Sequence, residues 1–260
     1  MSNQSLYQQL RGHLAYLHLE AAAEALPAEL ETATKDKLGH TAFLERLLAI
    51  EVSATEQRRL KGRLRFASLP APWRLEDFDF DAQPSIDRKL VQELATLRFV
   101  DEAANVLLVG PPGVGKTMLA CCLARLAAEA GHRVYFTTAA DLVARCHKAA
   151  IEGRWATTMR FFAGPGVLVI DELGYLPLPK EAASALFQVI SQRYLKGSII
   201  LTTNRAIGPA WGEIFDDSTV AVALIDRLLH RCTLLQLDGH SFRMRAHRAQ
   251  LEAMRRAVTP

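Results

Sequence analysis

Residues 110–117 read Gly-Pro-Pro-Gly-Val-Gly-Lys-Thr, and Gly110, Gly115, Lys116 and Thr117 fill every fixed position of the pattern G-x-x-x-x-G-K-[ST]. Before the stretch, Val106, Leu107, Leu108 and Val109 form an apolar run of strand length. After it, an Ala- and Leu-rich segment from Met118 to Ala130 closes at Gly131 as a helix does. A strand, a glycine-rich turn and a helix N-terminus in that order make an anion site, because backbone N–H groups converge where the helix dipole is positive. Gly110, Gly113 and Gly115 omit the Cβ atoms that would crowd those N–H groups. Lys116 brings a full positive charge to the β- and γ-phosphates of a nucleotide, and the Thr117 hydroxyl provides one oxygen to Mg²⁺. The competing reading is a turn that merely caps a core helix. A second motif downstream weighs against it.

That second motif is Val167-Leu168-Val169-Ile170-Asp171-Glu172: four apolar residues of a buried parallel-type strand, then two acids where the strand is expected to leave the sheet. Asp171 supplies the hard oxygen that Mg²⁺ prefers, directly or through water, and Glu172 is the general base for an attacking water. An Asp-Glu pair by itself is equally a solvated strand end. Its place 55 residues after Lys116 fits an intervening helix, a strand at Val134 to Thr137 and further helix. A third strand, Ser198 to Thr203, ends in Asn204, whose amide can bond both the water and the γ-phosphate or can simply begin a turn. The alternation of strand and helix argues for an α/β fold, a parallel sheet covered by helices on both faces. Right-handed connections place the ends of these strands along one sheet edge. Helices are expected at Ser85 to Arg98, Pro179 to Tyr194 and Thr219 to Arg231.

GPPGVGKT, VLVIDELGYLPL (167–178), LTTNR (201–205), IDRLLHR (225–231), a short strand from Leu234 to Leu237 and GHSFRMR (239–245) together resemble the IstB/DnaC-like branch of the AAA+ P-loop ATPases. Gly174-Tyr175-Leu176-Pro177 after the acidic pair is the most telling piece. A helical front end closing in an Arg-rich run and then FASLPAPWRLEDFDF (66–80) is similar to the IstB sub-branch, the helper ATPases carried by insertion sequences. The resemblance covers essentially the whole chain. It implies Gly110, Pro111, Pro112, Gly113, Val114, Gly115, Lys116, Thr117 and Met118 as the ATP-binding Walker A loop, and Thr117 with Asp171 as the Mg²⁺ ligands. Lys116, Asp171, Glu172, Asn204 (sensor 1) and Arg227 (arginine finger, acting on a neighbouring subunit) are the implied catalytic set. Arg243 is the one candidate for a sensor-2 role, and a separate C-terminal lid domain is not expected. The implied activity is DNA-stimulated hydrolysis of ATP by a ring or spiral homo-oligomer that grips duplex target DNA and stimulates an IstA-like transposase. A DnaC-like loader of a replicative helicase is the alternative on the same ATPase core. The resemblance also implies that the sensor strand separates the Walker A and Walker B strands.

Three regions follow: a small all-helical domain at 1–66 that meets DNA or a partner, a linker at 67–84 rich in Pro and aromatics, and the ATPase domain at 85–260. In the first, Leu6, Leu10, Leu14 and Leu17 mark an amphipathic helix that Pro27 interrupts near its end, and Phe43, Leu44, Leu47, Leu48 and Val52 form another apolar face. The resemblance implies that the linker leads into the nucleotide-base pocket, so that Phe78 or Phe80 packs near adenine; the other reading is that they only anchor the segment to the core.

A formal net charge of +3 is too small to argue for nucleic acid by itself. Its distribution says more. RRLKGRLR (58–65) holds five cations and no acid; with Leu60 and Leu64 turned to a core, Arg58, Arg59, Lys61, Arg63 and Arg65 fall on an outer arc that suits a phosphate backbone. The other reading is a solvated face paired to Glu51 and Glu56. The resemblance further implies that Arg145, Lys148, Arg154 and Arg160, between the second and third strands, face a central channel if the subunits form a ring or spiral; Lys148 and Arg154 join the DNA-binding candidates. A second basic stretch runs from Arg243 through Arg245 and Arg248 to Arg255 and Arg256. Cys121, Cys122, Cys146 and Cys232 lack metal-ligand spacing and read as core residues in a reducing compartment. No apolar run approaches the ~18 residues of a membrane span, and Met1-Ser2-Asn3-Gln4 opens no export signal, so a cytoplasmic protein without membrane partners is expected.

Overall fold

The computed structural model describes residues 3–175, 180–208, 210–215, 218–239 and 241–242. The chain divides into two compact units, residues 1–62 and 63–260.

The first unit is built from α1 (Asn3–Tyr16), α2 (Glu20–Lys35) and most of α3 (His40–Ala67). Its core is Leu14, Ala22, Leu26 and Leu47, with Tyr7, Leu19 and Phe43 packed alongside. The leucine stripe of α1 is buried only at Leu14; Leu6, Leu10 and Leu17 are exposed, because so small a unit has little interior to share. Pro27 lies inside α2 and ends nothing. The break falls earlier, where His18 adopts φ 57° between α1 and α2. No side chain caps α2 locally at Leu19, and the task passes to α3: the buried Glu51 carboxylate accepts the Ala22 N–H at 3.0 Å in the first turn of α2. Thr55 (3.3 Å) and Arg58 (2.6 Å) also donate to Glu51.

The second unit continues through α4 (Arg88–Ala95), α5 (Arg98–Asp101), β1 (Asn105–Val109), α6 (Lys116–Glu129), β2 (Val134–Thr138), α7 (Ala139–Ile151), α8 (Trp155–Ala163) and β3 (Val167–Leu173). It ends with α9 (Lys180–Arg193), β4 (Ser198–Thr203), α10 (Ala210–Phe215), α11 (Ser218–Leu229) and β5 (Cys232–Gln236). The helix expected over 85–98 is shorter. Asp87 caps its start by accepting the N–H groups of Lys89 (2.9 Å) and Leu90 (3.3 Å), and Leu97 at φ 64° breaks it.

All strand pairs are parallel and the order is β2-β3-β4-β1-β5, so the sensor strand β4 stands between β1 and β3 as the resemblance implies. Alternate residues serve opposite faces. Leu107, Leu168, Ile170, Ile199 and Leu201 meet a helical layer that includes Leu142, Phe162, Leu186 and Leu224. Val106, Leu108, Val167, Val169 and Ile200 meet Leu119, Leu123 and Val91 on the other face. Burial on both faces is why these strands read as unbroken apolar runs. Ala67, Phe78 and Ile86, in and beside the segment read as a linker, belong to the second layer.

Two buried polar groups fix the lower end of the sheet. The Asn105 side chain donates to Leu228 O (3.0 Å) and accepts the Ile199 N–H (3.0 Å), joining β1, β4 and α11. The Arg193 guanidinium has no carboxylate partner among the described residues; it donates to the carbonyls of Phe162 (2.8 Å), Pro165 (2.8 Å), Gly166 (3.1 Å) and Ser198 (2.8 Å). Burial lowers its pKa to about 10, which leaves it charged at neutral pH. Cys121, Cys122 and Cys146 are buried on α6 and α7, and burial pushes the first two thiols up to about 12 and the third to about 11. No helix among the described residues is long and apolar enough to cross a membrane.

Candidate active site

The parallel register brings the chemical residues to the carboxyl ends of β1, β3 and β4. Val109 and Leu173 both face Thr203, so Gly110, the acidic pair and Asn204 leave the sheet side by side. The Gly110 N–H also donates to Thr203 O at 3.2 Å.

The loop itself needs glycine for two separate reasons. Gly113 and Gly115 sit at φ 83° and 99°, where a side chain is strained. At Gly110 the constraint is space: a Cβ there would lie 2.0 Å from Leu237 O, against the residue that follows β5. Ser241 packs on the loop from the same side, and the Phe242 N–H donates to Gly113 O at 2.9 Å. Beneath the loop, a Cβ at Gly115 would come within 3.0 Å of the Phe78 ring, which is buried and packs edge-on to Phe80 with centroids 5.0 Å apart. Phe78 therefore packs against the turn at Gly115.

Lys116 opens α6, and its Nζ donates to Gly110 O (2.7 Å) and Pro111 O (2.8 Å), the carbonyls of its own loop. The next residue, Thr117, reaches across to β3: its hydroxyl lies 3.0 Å from each carboxylate oxygen of buried Asp171. β3 does not stop at Ile170 as expected. It continues through the acids to Leu173 and shifts register against β4 between Ile170 and Leu173. Within the shift Glu172 takes φ 62° and its side chain turns to solvent, so the two adjacent acids point to different environments. After them Gly174, at φ 80°, leaves room for the Ile214 side chain, which a Cβ would approach to 2.6 Å. Tyr175 is exposed; Leu176 and Pro177 lie outside the described residues.

Asn204 follows β4, and its Oδ1 is buried with no hydrogen-bond partner among the described residues. An orphaned acceptor at this edge is an open recognition group. Thr202, which the sequence presents as an ordinary strand residue, bonds both acids: its hydroxyl donates to Asp171 Oδ1 at 2.5 Å and accepts the Glu172 N–H at 3.0 Å. The one signal available was a hydroxyl in an aliphatic strand, which β-propensity explains equally well.

Arg227 is elsewhere. It lies on α11 next to Leu228, whose carbonyl meets Asn105 at the start of β1, whereas the loop follows the end of β1. Its guanidinium stacks 4.4 Å from the Phe187 ring centroid and donates to Ser191 Oγ at 2.8 Å. The structure does not bring it to the loop of its own chain. Arg243 and the basic stretch after it, and with them the question of a lid, lie outside the described residues.

The basic candidates separate into groups. In the first unit Arg59 and Lys61 are exposed and Arg58 is held by Glu51. In the second, Arg65 is exposed, but Arg63 leaves the expected outer arc: its Nε donates to Ala128 O at 2.8 Å, where the carbonyl end of α6 attracts a cation. Lys148 (3.9 Å) and Arg154 share Glu152, whose carboxyl is held below its ordinary pKa chiefly by the Arg154 hydrogen bond. Arg145 stacks 3.8 Å from the centroid of Phe161.

Parallel sheet order, glycine loop and strand-end acids define an α/β P-loop fold of the AAA+ type. The AMPPCP-bound DnaA from Aquifex aeolicus shares that fold, with a TM-score of 0.54 at 19% identity over 72% of this chain and 56% of that one. The family model described as IstB-like ATP binding protein matches residues 12–250, and the chain belongs to that family. Relatives include a protein of Geobacillus stearothermophilus described as the putative ATP-binding protein of insertion sequence IS5376, 43% identical over 91% of this chain and 94% of the relative. Another, from Pseudomonas aeruginosa, is described in the same words for insertion sequence IS21, at 44% identity over 92% of this chain and 89% of the relative.

Proposed function

We propose that the chain binds Mg·ATP on the 110–117 loop, hydrolyses it, and uses the cycle to control assembly on duplex DNA beside a transposase. The single observation that carries the nucleotide reading is the approach of Thr117 Oγ1 to Asp171 at 3.0 Å at the N-terminus of α6. Two hard oxygens there, one of them anionic, suit a magnesium ion. The triphosphate would lie at the N-terminus of α6, on a loop whose close packing against Leu237, Ser241 and Phe78 requires Gly110, Gly113 and Gly115, and the unpartnered Asn204 Oδ1 can accept a hydrogen bond from the attacking water. When bound, Mg·ATP supplies the reacting phosphoryl group and a divalent counter-charge.

The chain's own part is positioning and proton transfer. Lys116 exchanges its two loop carbonyls for phosphate oxygens, a trade of neutral acceptors for anionic ones. Glu172, solvent-facing beside the buried Asp171, takes the proton of the attacking water, and Asn204 orients that water. Arg227, at the far end of the sheet from its own loop, serves a neighbouring copy. DNA contact falls to Arg59, Lys61 and Arg65, with Lys148 and Arg154 contributing once phosphate displaces Glu152. The insertion-sequence relatives favour a transposition helper over a helicase loader.

The test is nucleotide binding with and without Mg²⁺, followed by phosphate release with and without duplex DNA. Lys116→Ala should abolish turnover; normal hydrolysis by that variant would remove the loop from the mechanism.

A further inference from the structure

Thr202 is buried at 1% exposure on the strand between β1 and β3, and its hydroxyl both donates and accepts a hydrogen bond. Its proton goes to Asp171 Oδ1 (2.5 Å) and a lone pair receives the Glu172 N–H (3.0 Å). The register shift explains the second bond: between Ile170 and Leu173 the β3–β4 ladder is interrupted, and the hydroxyl takes the amide that the ladder leaves over. That bond holds Glu172 in its left-handed conformation, its side chain exposed while Asp171 is buried. The first bond holds Asp171 Oδ1, while the Thr117 hydroxyl lies 3.0 Å from both oxygens of the same carboxylate.

We propose that Thr202 is a positioning residue for both acids, setting the carboxylate plane of Asp171 for the metal and the backbone of Glu172 for the base, from the strand that also carries Asn204. The inference rests on the proposed nucleotide site. One hydroxyl thereby links the metal ligand, the base and the sensor strand, so a shift of β4 is felt by both acids at once.

Thr202→Val keeps the shape of the side chain and removes both bonds, and Thr202→Ser restores them. The measurement is the Mg²⁺ concentration that half-saturates binding of a fluorescent ATP analogue, with binding in EDTA as the reference. Removing a partner that orients a metal ligand typically costs ~10–100-fold in metal affinity. Thr202→Val should therefore raise the Mg²⁺ midpoint at least about tenfold, leave affinity in EDTA unchanged within about twofold, weaken binding of Mg·ATP by the same factor as the midpoint, and lower kcat; Thr202→Ser should return each to the parental value. A purely structural threonine would lower the melting temperature and leave the Mg²⁺ midpoint alone, which overturns the proposal. If the valine variant fails to fold, Thr202→Cys, with its weaker donor, takes its place: a raised Mg²⁺ midpoint supports the role and an unmoved one overturns it. Absence of nucleotide binding by the unsubstituted protein would sink the site itself, whereas normal binding with an unmoved midpoint in the variants would sink only the role of Thr202.

Discussion

Thr117 and Asp171 stand 54 residues apart in the chain, yet the Thr117 hydroxyl is 3.0 Å from both oxygens of the Asp171 carboxylate. They come from the helix after β1 and from β3, strands that are not neighbours; β4 runs between them. The contact therefore reports the whole central sheet, and it is why Thr202 on β4 can touch the same carboxylate. With Asp171 committed to this buried cluster, Glu172 is the member of the pair left exposed, and the division of labour proposed for the two acids would follow from the register shift in which both lie.

Glu172→Gln should accordingly bind ATP with the parent affinity while turnover falls by about 10² to 10⁴, the usual contribution of a general base. Its backbone N–H still meets Thr202, so the local fold persists. Equilibrium binding of a labelled nucleotide alongside phosphate release measures both. Loss of binding together with turnover would reassign Glu172 to holding the nucleotide.

The strand, loop and helix around Gly110 were legible because their signals are local: an apolar run, obligatory glycines and a 3.6-residue period. Strand order came from resemblance, since periodicity does not carry it. What escaped depended on contacts distant in sequence. Thr202 acquires its role from a register shift between two strands, and Arg63 serves the carbonyl end of α6, which lies 65 positions further on. The face of α1 misled in the opposite direction. Its leucine period is a sound helix signal, but periodicity states which residues share a face and not whether anything covers it, and here only Leu14 is covered.

Arg227 is held by Ser191 and Phe187 at the sheet end away from its own loop. A role in catalysis thus requires a second copy. Arg227→Ala and Glu172→Gln should each be nearly inactive alone, an arginine finger being worth ~10³ to 10⁵ in rate. Mixed in equal amounts they should recover part of the parental ATPase rate, because some interfaces then join an intact finger to an intact base. Rates in the mixture no higher than the sum of the separate variants would exclude action in trans.

The basic arc separates into residues that can meet phosphate and residues already engaged. Arg59→Ala with Lys61→Ala should flatten the plot of log K against log[salt] for duplex DNA by about 0.9 for each phosphate no longer neutralised. Arg63→Ala should leave that slope alone and lower stability, since its Nε serves Ala128 O. Fluorescence anisotropy across a salt series reads the slope and thermal melting reads the stability. An Arg63 effect on the slope would return that side chain to the arc.

Arg193 is a buried cation whose partners are carbonyls from two stretches of chain, Phe162 to Gly166 and Ser198. Arg193→Met should cost about 3 kcal/mol or more, because it strands several buried acceptors at once. Arg193→Lys should rescue little, as one ammonium cannot reproduce the planar fork that reaches both Pro165 and Ser198. Denaturant unfolding gives both values. A methionine variant as stable as the parent would mean that the carbonyls find other donors.

Glu51 makes the first unit sensitive to acid. Its carboxyl is held below the ordinary 4.5 chiefly by the Ala22 N–H it accepts, with Arg58 and Thr55 assisting. A folded-state pKa below the unfolded one means that the unfolded chain binds the proton more tightly, so the stabilisation is complete above about the ordinary value and fades as pH falls through the lowered one. Glu51→Ala should cost ~1–2 kcal/mol near neutrality, as loss of a helix cap does. Below the lowered pKa its stability should converge toward that of the parent, whose own carboxylate is by then neutral. Circular dichroism of thermal unfolding from pH 7 down to about pH 3 follows this convergence. A constant gap between the two proteins would mean that Glu51 stabilises by packing and not by the charge it presents to the first turn of α2.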